Sequence, residues 1–316
     1  MRIVALIPGE VGDQFLFFPT LDGLKQIYPK AQIDVVVPLA AKAAYGINPI
    51  VHEAIAFDFQ ARNSLADWGN LLGNLREREY DLAIFSGSDW AVSFILWLAG
   101  IPVRVGFEQS AGANFYTHRV PKKENQYTAA AYYDLIRGLG APHLCPEITV
   151  TLPVQDFEWA DAERKRLGIG SGGYVAIYGT DEEAANGNSY PVEKWQGIIQ
   201  DFQQKQPDLP LVLLGDKENV NFVEVLSRLN PGLKVTTPPN LGKLTAMIAG
   251  ANLLLCVQST PMQLAVAVKT YTLALFGAAE PKRLLPESNR FVGIQSLSGQ
   301  MSDIAPQTVL EKVWGG

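Results

Sequence analysis

Residues 1–29 read MRIVALIPGEVGDQFLFFPTLDGLKQIYP, and the change of pattern inside this stretch decides the fold. The run RIVALIP is continuously apolar and β-branched, as a strand buried on both faces must be. It stops at PGEVGD, and QFLFFPTLDGLKQIYP then repeats its apolar residues at helical spacing, with Pro19 in the early part of the helix. Strand, glycine loop and helix in immediate succession form the first step of a parallel α/β unit. Asp13 follows Gly12 directly at that junction. A carboxylate there can cap the helix by accepting a free backbone N–H. It can equally be held ionised by the helix dipole and serve as a reacting group.

Outward from this junction the alternation continues. QIDVVVP (32–38), VHEAIAF (51–57), YDLAIFS (80–86) and VRVGF (103–107) read as strands. AKAAYGI, SLADWGNLLGNLRER, the apolar WAVSFILWLAG and YTAAAYYDLIRGLGA read as helices between and after them. PHLCPEITVTLPVQD (142–156) is proline-rich and extended, and marks a domain boundary. Beyond it the pattern restarts. The strands are YVAIYG, PLVLLG, KVTT, NLLLCV and YTLALFG. The helices are EWADAERKRLG, PVEKWQGIIQDFQQKQ, VNFVEVLSRL, KLTAMIAGA, PMQLAVAV and APQTVLEKVWG. The expected fold class is α/β: two Rossmann-like doubly wound domains, 1–150 and 151–316, facing across a cleft. Ligands in open α/β sheets bind at the carboxyl edge of the strands. That directs attention to PGEVGD, SGSDW, YGTDEEAANGNSYP, LGDKEN, VQSTP and FGAAEP.

Composition narrows the function. The 316 residues are 47% hydrophobic and 18% charged, enough for substantial cores. A net charge of −6 argues against nucleic acid, which wants a basic face. Cys145 and Cys256 stand far apart, as do His52, His118 and His143, so no metal or redox spacing exists and a reducing compartment fits. MRIVALIPG reads as a first strand and not as a signal peptide. The segment WAVSFILWLAGIPV is too short to span a bilayer and is a core helix or, second, a membrane-surface patch.

GEVGDQFLFFPTLDGLKQIYPKAQIDVVV resembles the N-terminal signature of glycosyltransferase family 9, the heptosyltransferases of lipopolysaccharide synthesis. NPIVHEAIAFD, YDLAIFSGS and LAGIPVRVGF continue the likeness in order. VLLGDKEN, LGKLTAMIAGANLLLCVQSTPMQLAVAV and LALFGAAEP then follow the family's donor-binding half. The resemblance covers nearly the whole chain and implies the two-Rossmann-domain GT-B architecture. It implies inverting, metal-independent transfer of a sugar from a nucleotide-sugar, ADP-linked, to a glycan or lipid-linked acceptor. The nucleotide-sugar is a co-substrate and no other cofactor is implied. The N-terminal domain would hold the acceptor along the loop of Gly9 and Gly12, and the C-terminal domain the nucleotide. The last helix, TVLEKVW, would cross back to the first domain. The family's catalytic base is the aspartate of its Gly-Asp motif, which matches Asp13. Cytoplasmic location with peripheral membrane contact is the corresponding expectation.

The donor half departs from the family pattern. Asn188 stands where a lysine is expected, and Tyr190 replaces a tryptophan. In QSTPMQ, Gln258 replaces an acid, Ser259 a threonine, Thr260 a glycine and Gln263 a histidine. IYGTD keeps only Gly179 of a His-Pro-Gly loop and places Thr180 after it. Ser259 and Thr260 before a helix can seat phosphate, or Thr260 can simply be an N-cap with Pro261 at the first helical position. Gly215, Asp216 and Glu218 can line a nucleotide or form a surface turn. The acidic TDEEAANGN suits a diphosphate poorly. Two readings therefore stand side by side: an active transferase, and an inactive relative retained as a binding or assembly protein with a protein partner. A nicotinamide oxidoreductase ranks third, since PGEVGD matches G-x-G-x-x-G poorly.

Overall fold

The computed structural model describes residues 1–170, 172–181 and 189–315. The chain divides into two compact units, Met1–Thr151 and Leu152–Gly316.

The first unit runs β1 (Arg2–Leu6), α1 (Val11–Ile27), β2 (Gln32–Val37), a 3₁₀ segment Leu39–Ile47 and β3 (Val51–Ala56). It continues with α2 (Leu65–Glu77), β4 (Leu82–Phe85), α3 (Trp90–Leu98), β5 (Val103–Phe107), β6 (His118–Val120) and α4 (Thr128–Arg137). Its six strands are parallel in the order β3-β2-β1-β4-β5-β6. The direction of winding reverses between β1 and β4, so the loops after these two strands diverge and leave a crevice at their carboxyl ends. Leu71, Leu75, Val92, Ile95 and Leu96 bring α2 and α3 onto one face of the sheet. On the other face α1 packs against α4 and the 3₁₀ segment.

The second unit opens with α5 (Val154–Arg166) and β7 (Val175–Tyr178), then α6 (Val192–Lys205), β8 (Leu211–Leu214), α7 (Val220–Leu229) and β9 (Lys234–Thr236). It ends with α8 (Leu241–Ala249), β10 (Leu253–Val257), α9 (Thr260–Ala267), β11 (Thr272–Phe276), α10 (Pro281–Leu284), β12 (Phe291–Gln295) and α11 (Pro306–Trp314). A second, separate parallel sheet has the order β12-β11-β10-β7-β8-β9, with its reversal between β7 and β10. Trp195, Ile198, Ile199, Phe202, Phe222, Leu226, Val309 and Leu310 close one face of it. The closing helix α11 packs on α6 within its own unit, and the Trp314 indole donates to Asp201 at 2.7 Å. Among the described residues no helix is long and apolar enough to cross a membrane.

Three local features differ from the sequence expectation. Helix α1 begins at Val11, earlier than the apolar spacing suggested, so Pro19 lies mid-helix and the carbonyl one turn before it loses its N–H partner. Strands β6 and β12 were not anticipated. Both are short edge strands: the first is mostly polar, and the second carries Gly293, where a Cβ would fall 2.4 Å from Pro281. Ser259, and not Thr260, is the N-cap of α9, which places Pro261 second in the helix.

Candidate active site

The loop Pro8–Glu10 leaves β1 at the reversal point of the first sheet. Gly9 turns it with φ +124°, a conformation that side chains rarely adopt. A Cβ on Gly9 would lie 2.6 Å from Asp13 Oδ2, so the absence of a side chain is what lets the carboxylate sit over this turn. Glu10 is the N-cap of α1, Gly12 lies in its first turn, and Asp13 is the third helical residue. Asp13 is therefore not the N-cap that its position after Gly12 suggested. Its carboxylate reaches back and accepts the Glu10 N–H at 2.9 Å. Burial raises the Asp13 carboxyl above its ordinary value; the Glu10 N–H lowers it and the Glu10 charge raises it further. Asp13 is half-buried and so remains open to a partner. A carboxylate made more basic, on a rigid helix start at a topological switch point, is equipped to accept a proton.

Two neighbours hold this loop, and neither was visible in the sequence pattern. Gln14 is fully buried, and its amide donates to the carbonyls of Ile7, Gly9 and Glu10 at 3.4, 3.3 and 3.2 Å. The Tyr45 hydroxyl donates to Gln14 Oε1 at 2.7 Å. One glutamine thus ties three carbonyls of the turn at residues 7–10 to the 3₁₀ segment. Tyr45→Phe strands that buried oxygen, which should cost about 1–3 kcal/mol of stability in urea unfolding. An unchanged midpoint would remove this tie. On α4, the Tyr132 ring packs at a tilt against Phe17, one turn beyond Asp13, ring centroids 5.6 Å apart. Burial and the Asp13 charge both raise the Tyr132 phenol. No periodic signal could have singled it out.

The described donor-side candidates lie on the loops after β7, β8 and β10, at the carboxyl edge of the second sheet, and on α9, which follows β10. Gly179 and Thr180 follow β7; Gln258 and Ser259 follow β10, its neighbour. The Thr180 hydroxyl is buried and finds no hydrogen-bond partner among the described residues. Gly215, Asp216 and Glu218 form the turn between β8 and α7. Asp216 accepts the Tyr178 hydroxyl at 2.9 Å and the Glu218 N–H at 2.8 Å. Burial, then the Asp216 charge, pushes the Tyr178 phenol upward. Gln263, only 2% exposed, donates to the Leu284 carbonyl at 2.9 Å, while its Oε1 finds no partner among the described residues. Asn188 and most of the acidic stretch, residues 182–188, lie outside the described residues.

Two helix starts at this edge differ. Asp181 accepts the N–H groups of Asn221 and Phe222 at 3.1 and 2.6 Å, which closes the start of α7. One residue of the acidic stretch is therefore a long-range helix cap. At α9 no side chain among the described residues caps the free N–H groups, and Ser259 instead donates to the Val257 carbonyl at 2.8 Å. The Thr260 hydroxyl opens this helix. An anion at this edge meets free N–H donors at α9 and a carboxylate at α7.

Two separate doubly wound units, each with its loops at a reversal point, have the architecture of GT-B glycosyltransferases. The chain belongs to glycosyltransferase family 9 (heptosyltransferase), whose family model matches residues 68–314. Asp13 lies upstream of that match. Lipopolysaccharide heptosyltransferase 3 of Escherichia coli is 25% identical over 89% of this chain and 85% of its own. Photosynthetic NDH subunit of subcomplex B 1, a chloroplastic protein of Arabidopsis thaliana, is also 25% identical, over 98% of this chain and 72% of its own. The solved structure of an Escherichia coli heptosyltransferase with ADP superposes with a TM-score of 0.77 over 99% of both chains at 16% identity.

Proposed function

We propose that this chain is an inverting sugar transferase that uses an ADP-linked heptose or a related sugar and a glycan or lipid-linked acceptor on the cytoplasmic face of a membrane. The observation that carries the reading is the Asp13 carboxylate, raised in basicity and seated over Gly9. In this reaction Asp13 takes the proton of an acceptor hydroxyl as that oxygen bonds the anomeric carbon. The bond from that carbon to the diphosphate breaks on the opposite face, its electron pair leaves with the nucleoside diphosphate, and the configuration inverts. Charge growing on the diphosphate is met by the N–H groups of α9 and by the Ser259 and Thr260 hydroxyls. The reading assigns no metal to this step. Support comes from the family and from the named substrate chemistry of its relatives. A panel of nucleotide-sugars, followed by calorimetry and then by transfer to a core glycan, tests it. Binding and turnover with at least one ADP-sugar are expected, and no binding across the panel overturns the reading.

A second reading has its own observation. A relative matched over 98% of this chain and 72% of its own carries the name of a photosynthetic complex subunit, and the family's lysine, acid and histidine are all replaced here by neutral residues. On that reading the fold is a scaffold for a protein partner.

A further inference from the structure

Helices α1 and α4 follow β1 and β6 of one parallel sheet, so both start at its carboxyl edge, and they pack against each other. Their contacts step forward together. Tyr132 packs against Phe17, while a Cβ on Gly23 would meet Ile136 at 2.5 Å and Tyr133 at 2.7 Å. Helical side chains lean toward the start of their helix, over the preceding turn. Phe17 leans back over the turn of Asp13, and Tyr132 over the turn of Thr128. The Tyr132 phenol is thereby carried toward the carboxyl edge and the Asp13 carboxylate, whose charge acts on it.

Three tyrosines of this segment differ in what their hydroxyls meet. Those of Tyr127 and Tyr133 are buried without a partner among the described residues. Tyr132 is half-buried, and its hydroxyl is neither sealed in that way nor hydrogen-bonded to any described residue. Burial and the nearby carboxylate both disfavour the phenolate, so this group stays an O–H donor. Asp13, when ionised, only accepts. One acceptor and one donor thus stand at two adjacent helix starts, open to the same edge. A lone hydroxyl engages only Asp13. Two oxygens on neighbouring carbons engage both groups: one gives its proton to Asp13, and the other receives the Tyr132 O–H.

We infer that Tyr132 selects the acceptor, its phenol donating to the oxygen on the carbon beside the attacking hydroxyl, so that this chain takes acceptor sugars with a vicinal diol. The inference deepens the transferase reading and rests on it. Tyr132 moves no proton in the reaction; it fixes which hydroxyl lies over Asp13.

The test is steady-state transfer by the full chain from ADP-heptose to a core glycan, and to the same glycan deoxygenated at the carbon beside the accepting hydroxyl. Tyr132→Phe keeps the ring against Phe17 and removes only the hydroxyl. It should raise KM for the intact glycan by about three- to tenfold, the worth of one neutral hydrogen bond, with kcat much less changed. On the deoxy glycan the wild type and the variant should share one KM, because the bond is already gone. The wild type alone should favour the intact glycan over the deoxy glycan by a similar factor, a comparison that holds even if the variant fails to fold. The inference is overturned by an unchanged KM in the variant, by an equal loss on both glycans, which marks a structural effect, or by a wild type that treats the two glycans alike. Transfer without that discrimination leaves the transferase standing and removes the role of Tyr132. Absence of transfer to either glycan in the wild type overturns both together.

Discussion

Asp13→Asn is expected to lower sugar transfer by about 10²–10⁴-fold, the usual cost of losing a general base, while the fold stays intact. Asparagine keeps the acceptor oxygen that receives the Glu10 N–H. What it loses is the ability to hold a proton. Wild-type turnover should fall with decreasing pH as Asp13 protonates, and this limb starts above the ordinary carboxyl range because burial raises the group. The variant should lack that limb. Stability should move the other way. A carboxyl that binds its proton more tightly when folded stabilises the protein fully below its unfolded pKa, and this contribution is lost as pH rises through the folded value. At neutral pH the ionised Asp13 thus opposes folding, and the variant should melt at the same temperature as wild type or higher. A variant that melts lower yet turns over normally would make Asp13 a structural element of the α1 start and nothing more.

The parts legible in the sequence were those set by periodicity over many residues. The apolar runs of β1, β2, β4, β7, β8, β10 and β11 are buried on both faces, and such runs cannot be hidden by composition. The loops at their carboxyl ends follow from the winding, so the neighbourhood of Asp13 and of Ser259 could be located before any coordinates. Single contacts between distant positions were not legible. Gln14 with Tyr45 is a pairing across 31 residues, and Asp181 reaches the start of α7 forty residues on. No spacing rule connects such pairs. The α1 boundary was misplaced for a related reason: Gly9 makes the turn early through its positive φ, so the helix starts at Val11 and Asp13 becomes its third residue. The side chain that looked like a cap is instead anchored by the cap residue's own N–H, with its carboxylate over the glycine.

The donor half carries the second large expectation: ADP should bind, and Thr260→Val should weaken it by more than about tenfold. A hydrogen bond to a charged group is worth about 1.5–3 kcal/mol, and tenfold corresponds to about 1.4 kcal/mol. Valine matches threonine in shape and lacks only the hydroxyl, so a structural role for Thr260 would leave affinity nearly unchanged. The start of α9 is the right place to probe, because no side chain among the described residues caps its N–H groups while Asp181 already fills the start of α7. The same contrast gives the measurement its control. Asp181→Ala opens α7 at a stability cost of about 0.5–2 kcal/mol, yet it should not weaken ADP, since it removes a carboxylate and no phosphate donor. If ADP fails to bind even near millimolar concentration, where the binding free energy is only about −4 kcal/mol, the neutral residues at Gln258 and Gln263 have cost this chain its donor. The open start of α9 is then a packing feature of the second sheet, and the assembly reading takes precedence over transfer.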